Sequence, residues 1–83
     1  MKKNKPSKNL IIDVRKPEDF EKGHAEGSIN IPLTEMEERL EEIREIKEPI
    51  ILVCGGGTRH VRAFELLKEN GITTEKGGSW RDH

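Results

Sequence analysis

The stretch of this chain best suited to chemistry is Cys54-Gly55-Gly56-Gly57-Thr58-Arg59: a lone cysteine, three glycines, a hydroxyl residue and an arginine. Cysteine is a nucleophile as the thiolate, which forms where positive partial charge surrounds it. Three glycines let the backbone curl so that consecutive N–H groups point inward as a cradle for an anion. A helix starting where the loop ends adds unpaired N–H groups and the positive end of its dipole. Arg59, the last loop residue, offers a fixed planar cation. The alternative for Cys54 is a small buried hydrophobe, since it follows the apolar run Ile50-Ile51-Leu52-Val53. The glycines favour the reactive reading, because each costs backbone entropy on folding and a structural cysteine gains nothing from them. That reading requires a sulfur that opens on the loop instead of sinking into the packed interior.

Such a loop needs a strand before it and a helix after it. Leu10-Ile11-Ile12-Asp13-Val14 reads as a buried strand, and Pro17 with Glu18 and Asp19 starts a short helix that Phe20 anchors. Gly23 to Gly27 forms a loop, with His24 hydrogen-bonded inside it, and Ser28 to Ile31 forms a second strand closed by Pro32. Thr34 and Glu37 have capping-box spacing, predicting a helix from Glu35 to about Ile46 with Leu33, Met36, Leu40, Ile43 and Ile46 on one stripe. Pro49 ends that region and the strand Ile50 to Val53 follows. The helix after the loop is expected from about His60 to Asn70, with Val61, Phe64, Leu66 and Leu67 inward and Gly71 as its cap. Ile72 to Glu75 is the expected fourth strand, after which Gly77-Gly78-Ser79-Trp80 turns back and Trp80 anchors the chain end. Strands alternating with helices predict an α/β fold: a small parallel sheet of about four strands with helices on both faces. Ligands bind outside the carboxyl ends of such strands, where Cys54 lies.

The 83 residues suit one small domain, expected at 10–83 behind a flexible basic tail at 1–9. Charged residues make up 37% and hydrophobic ones 31%, so nearly every periodic apolar residue is needed for the core. The formal charge is -1 with both signs interleaved, which argues against a nucleic-acid partner. No apolar run is long enough to span a membrane, so the expected compartment is the cytoplasm, and a single cysteine agrees with reducing conditions or with an intermolecular redox role. Cys54, His24, His60 and His83 lack metal-ligand spacing; neither a metal nor a cofactor is expected. The small core suggests a monomer or weak dimer.

Four segments in order carry a resemblance: Ile11-Ile12-Asp13-Val14-Arg15, then Gly23-His24-Ala25-Glu26-Gly27-Ser28-Ile29-Asn30-Ile31-Pro32, then the Cys-x-x-Gly-x-Arg loop, then Gly77-Gly78 before Trp80. Together they resemble the rhodanese family of sulfurtransferases, and most of all its short single-domain members. The resemblance implies a thiosulfate sulfurtransferase: Cys54 attacks the outer sulfur of thiosulfate or a similar sulfane-sulfur donor, releases sulfite, and passes its persulfide sulfur to a thiol or cyanide. It implies that the N–H groups of Gly55, Gly56, Gly57, Thr58 and Arg59 form the pocket and that Arg59 steers the anion. Rhodanese-fold phosphatases and arsenate reductases are the nearest rivals, but their arginine lies six positions after the cysteine, whereas Arg59 lies five after Cys54. A non-catalytic sulfur-carrier or docking module is the other alternative. The chain departs from the family in having His60 where Ser or Thr is common, Ala25 after His24, and a short segment from Gly71 to Gly77. His60 is expected to be a solvated helix residue in preference to a second group near the anion. Asp13 and Arg15 are expected to tie the strand end to neighbouring loops.

Overall fold

The computed structural model describes residues 9–83, so the expected tail at 1–9 falls, apart from Asn9, outside the described residues. Strands β1 (Leu10–Asp13), β2 (Ile29–Asn30), β3 (Ile50–Cys54) and β4 (Glu75–Ser79) form one parallel sheet in the order β2-β1-β3-β4. The helices are α1 (Pro17–Lys22), α2 (Leu33–Met36), α3 (Leu40–Arg44) and α4 (Arg59–Glu69). This is the expected α/β arrangement, with the two longest strands, β3 and β4, paired at one side of the sheet.

Alternation along the strands sorts the core. Ile12, Ile50, Leu52 and Cys54 join Met36, Ile43, Ala63, Leu67 and Ile72 in one buried cluster. Full burial of an aliphatic side chain such as Ile12, Leu52 or Leu67 contributes about 1.5–3 kcal/mol. Val53 points the other way and is also buried, while Ile11 and Ile51 are half-buried. Ala63, absent from the expected stripe of α4, is fully buried; its small side chain allows close approach to the sheet.

The ends of α1 and α4 follow local chemistry. Pro17 occupies the first turn of α1, where its missing N–H loses nothing. After Asn70, Gly71 takes φ +79°; its N–H bonds to the Lys68 carbonyl at 3.0 Å and that of Ile72 to the Leu67 carbonyl at 2.8 Å. This paired closure needs the left-handed conformation that glycine adopts without strain.

Two expectations are corrected. The helix foreseen from Glu35 to about Ile46 starts at Leu33 and is broken by a 3-10 turn at Glu37–Arg39. Pro32 takes the N-cap position and the Thr34 side chain makes no capping bond. Arg39, at φ -115° and ψ 22°, leaves helical geometry while its guanidinium bonds to Glu35 and Glu42. Met36 and Ile43 of the predicted stripe are still buried, because the break keeps both on the sheet.

The fourth strand is not Ile72 to Glu75 but Glu75–Ser79, and it runs through the glycines that were expected to turn. Leu52 pairs with Lys76 and Val53 with Gly78, so Gly77 is an extra, bulged residue. A Cβ at Gly77 would lie 2.5 Å from Ile51 Cγ2 and 3.0 Å from the Leu52 carbonyl oxygen. Only a residue without a side chain fits there, and Gly78 adds φ +78°. The strand therefore ends two pairs beyond the bulge, with Ser79 opposite Cys54 and Trp80 starting a 3-10 turn at the same sheet edge.

Candidate active site

Parallel strands bring their carboxyl ends to one edge, and three of them meet around Cys54. A cavity of about 540 Å³ there is lined by Arg15 after β1, Cys54, Gly55, Gly57, Thr58 and Arg59 after β3, Trp80 and Arg81 after β4, and Asp19 from α1. Of the six residues singled out from sequence, five line this cavity and Gly56 does not. The formal charge of the lining is three arginines against one carboxylate, which suits an anion.

The glycine loop is more selective in its needs than its composition suggests. Gly56 alone has positive φ, at +124°, where an L side chain is strained. At Gly55 a Cβ would approach Arg15 Cδ to 3.3 Å; at Gly57 it would meet open space. Among the described residues, no protein acceptor is paired with the N–H groups of Gly55, Gly56, Gly57 or Thr58. These donors, with the N–H groups of Arg59 and His60 at the start of α4, have no protein acceptor among the described residues, whereas that of Val61 donates to the Thr58 carbonyl at 3.0 Å.

Cys54 is only 1% exposed. This corrects the expectation of a sulfur lying open on the loop: the residue packs in the core, and the requirement of an open sulfur is not met; what keeps the reactive reading is that Cys54 also lines the cavity. Its Sγ lies 3.4 Å from the Gly57 carbonyl oxygen and 3.0 Å from His60 Nδ1.

His60 is thus not the solvated helix residue expected. Arg59 starts α4 instead of ending the loop, so the following residue, in the first turn, comes back against the strand tip. His60 is half-buried, and burial first, then the Lys76 ammonium, push its imidazole below the usual histidine value. Its position six residues after the cysteine, across a short loop and into a helix, was the available signal.

The arginines differ in what holds them. Arg15 is 7% exposed; its Nε donates to Asp13 Oδ1 at 2.9 Å, and its Nη2 donates to Asp13 Oδ2 at 2.8 Å and the Gly23 carbonyl at 2.7 Å. The hydrogen bond to Asp13 is the main cause holding the Arg15 pKa above its ordinary value. Asn30 Nδ2 donates to the carbonyls of Asp13 and Arg15, so one polar cluster joins β1, β2 and the loop after α1. This is the structural tie expected of the pair. Arg59 is exposed and, among the described residues, has no ion pair.

Trp80 both packs and lines the site. A Cβ at Gly23 would come within 3.1 Å of its ring, and the guanidinium carbons of Arg15 and Arg81 stand 4.8 and 5.0 Å from its centroid. Such cation–π contacts fix the ring and place Arg81 on the cavity wall. Arg81 and the lining role of Trp80 were missed because the strand leading to them was misplaced. His24, by contrast, is where it was expected, its Nδ1 bonded to the Phe20 carbonyl at 2.7 Å and its ring stacked on Phe20.

A parallel α/β sheet with a cysteine–glycine loop between strand and helix, ringed by arginines, defines the class, and the chain belongs to the rhodanese-like domain family, whose model matches residues 1–78. It is 46% identical over 66 residues to the uncharacterized protein YqhL of Bacillus subtilis (strain 168), covering 80% of this chain and 52% of that protein. It is 37% identical over 73 residues to the thiosulfate sulfurtransferase PspE of Escherichia coli (strain K12), covering 86% of this chain and 70% of that one. The chain thus spans about half the length of YqhL. Among solved structures, a rhodanese with anions from E. coli matches with a TM-score of 0.78 and 35% identity, covering 92% of each chain. No helix among the described residues is long and apolar enough to cross a membrane.

Proposed function

We propose that this chain is a sulfurtransferase that carries a sulfane sulfur as a persulfide on Cys54, from thiosulfate or a similar donor to a thiol or cyanide. The observation that carries this reading is the meeting, in a single cavity at the carboxyl edge of the sheet, of one cysteine with loop amides and an Arg59 that have no protein partner among the described residues. The similarity to a protein named as a thiosulfate sulfurtransferase supports it.

The chemistry is a displacement at sulfur. The Cys54 thiolate attacks the outer sulfur of thiosulfate, the new S–S bond forms, and sulfite leaves with the electron pair of the broken bond. The negative terminal sulfur then sits where the loop N–H groups of Gly55 through Thr58 can donate to it. Arg59 draws in the dianion, which the protein-bound charge of Arg15 cannot do as well. The acceptor thiolate then attacks the outer sulfur of the persulfide and returns Cys54 as thiolate.

Intact mass after incubation with thiosulfate tests the reading. The wild type is expected to gain one sulfur atom and Cys54→Ser none, and added thiol or cyanide is expected to remove it. A wild type that gains no sulfur, or a Cys54→Ser variant that gains it equally, ends the proposal. Turnover of an aryl phosphate lost in Cys54→Ser would move the chain to the phosphatase reading.

A further inference from the structure

One titratable side chain outside the loop touches the reacting atom. His60 Nδ1 stands 3.0 Å from Cys54 Sγ, nearer than the Gly57 carbonyl oxygen at 3.4 Å. We propose that His60 is a catalytic residue: its Nδ1 takes the Cys54 thiol proton as sulfur is loaded and returns it as sulfur leaves. This rests on the sulfurtransferase reading of Cys54.

The need for a base follows from burial. A thiol 1% exposed meets little solvent that could take its proton, yet only the thiolate attacks, and His60 Nδ1 at 3.0 Å is the nearer of its two hydrogen-bond partners. The contact suits S–H···N transfer when the neutral imidazole carries its hydrogen on Nε2, leaving the Nδ1 lone pair toward sulfur. The groups facing His60 are Cys54 from β3 and Lys76 from β4, with Arg59 beside it on α4. No carboxylate is bonded to it among the described residues, so nothing holds it protonated in advance. Burial and Lys76 disfavour the charged ring before the transfer, and negative charge on sulfur then retains the proton it accepts.

Both half-reactions balance. In loading, neutral His60, the Cys54 thiol and the thiosulfate dianion give the imidazolium, the persulfide anion and the sulfite dianion. The Sγ proton moves to Nδ1, the Cys54 S–S bond forms, and the donor's S–S bond breaks with its electron pair on sulfite. In discharge, an acceptor thiolate, whose own proton has gone to solvent, attacks the outer sulfur. The Cys54 S–S bond breaks, the pair returns to Sγ, and Nδ1 gives back its proton; the acceptor leaves as its persulfide anion.

The test uses the full chain with His60→Ala and His60→Asn, the second retaining bulk and hydrogen bonding but no proton acceptor. Alkylation of the unloaded thiol by iodoacetamide and sulfur uptake from thiosulfate are measured at about pH 6.5 and about pH 9.5. Both rates are expected to fall at least about tenfold at the lower pH and to lie within about twofold of wild type at the higher, where hydroxide replaces the base. Thermal melts verify that each variant is folded; the Asn variant decides the matter if Ala is not. Equal loss at both pH values, or none, overturns the role of His60. Because alkylation needs no sulfur donor, the two levels separate: sulfur uptake with a pH-independent loss sinks His60 alone, whereas a pH-selective loss of alkylation in a protein that never takes up sulfur sinks the sulfurtransferase reading and this step with it.

Discussion

Arg15 and Arg59 line the same cavity and carry the same charge, yet the structure uses them in opposite ways. Arg15 is buried against a fully buried Asp13, with its Nε and Nη2 donors committed to that carboxylate and to the Gly23 carbonyl. Arg59 is exposed, with no ion pair among the described residues. A guanidinium whose hydrogen bonds are satisfied within the protein is part of the frame; one whose bonds are unmade is available to a ligand. Counting the positive charges around the cavity would miss this distinction.

The strongest way to break the comparison is to truncate the buried partner. Arg15→Ala is expected to lose about 3–5 kcal/mol in denaturant melts, because it leaves Asp13 charged, buried and alone. Replacing both members by apolar residues of similar size is expected to recover much of that loss. A near-neutral Arg15→Ala would mean that the arginine is as free as Arg59.

The two glycine segments repeat the contrast between frame and site. Gly77→Ala drives a methyl into Ile51 and the Leu52 backbone and is expected to cost about 1–3 kcal/mol, read from a thermal melt. Gly56→Ala meets no neighbour within 4 Å, so its cost comes from positive φ alone, about 1–2 kcal/mol. Its main effect is expected on sulfur uptake, through reshaped loop amides.

Arg59→Ala sharpens the comparison from the other side. Stability is expected to stay within about 0.5 kcal/mol of wild type, while thiosulfate capture, measured as the second-order rate of sulfur uptake, falls about tenfold. If stability falls instead and capture holds, the assigned roles of the two arginines must be exchanged.

The smallest effect is on pH dependence. His60 has a native pKa depressed below its unfolded value of about 6.5, so the unfolded chain binds more protons just below that pH. Its contribution to stability is complete above the unfolded value and is lost as pH falls through the lower, native one. Denaturant midpoints between about pH 5 and about pH 7.5 are expected to decline on the acid side. His60→Asn is expected to flatten that decline, while an unchanged slope would place the titration elsewhere.

The features legible in sequence were those decided within a few residues. Pro17 at a helix start, Gly71 at a helix end and an apolar run stopping at Cys54 each depend on local backbone sterics or on strand burial, which residue type reports directly. The order of strands and helices followed from these, and with it the parallel sheet and the edge where Cys54 lies. What remained hidden depended on partners distant in the chain. Gly77 reads as a turn residue until Ile51 and Leu52 are seen to leave no room for a side chain. Once the fourth strand is set by that packing, Trp80 and Arg81 arrive at the cysteine's cavity, and Trp80 stacks against Arg15, sixty-five positions earlier. The burial of Cys54 and the approach of His60 to its sulfur belong to the same group. The sequence alone determined that the one thiol stands at a strand tip beside a glycine loop; folding decided that this thiol is almost wholly buried and touches an imidazole, because burial and contact are properties of the whole packed sheet.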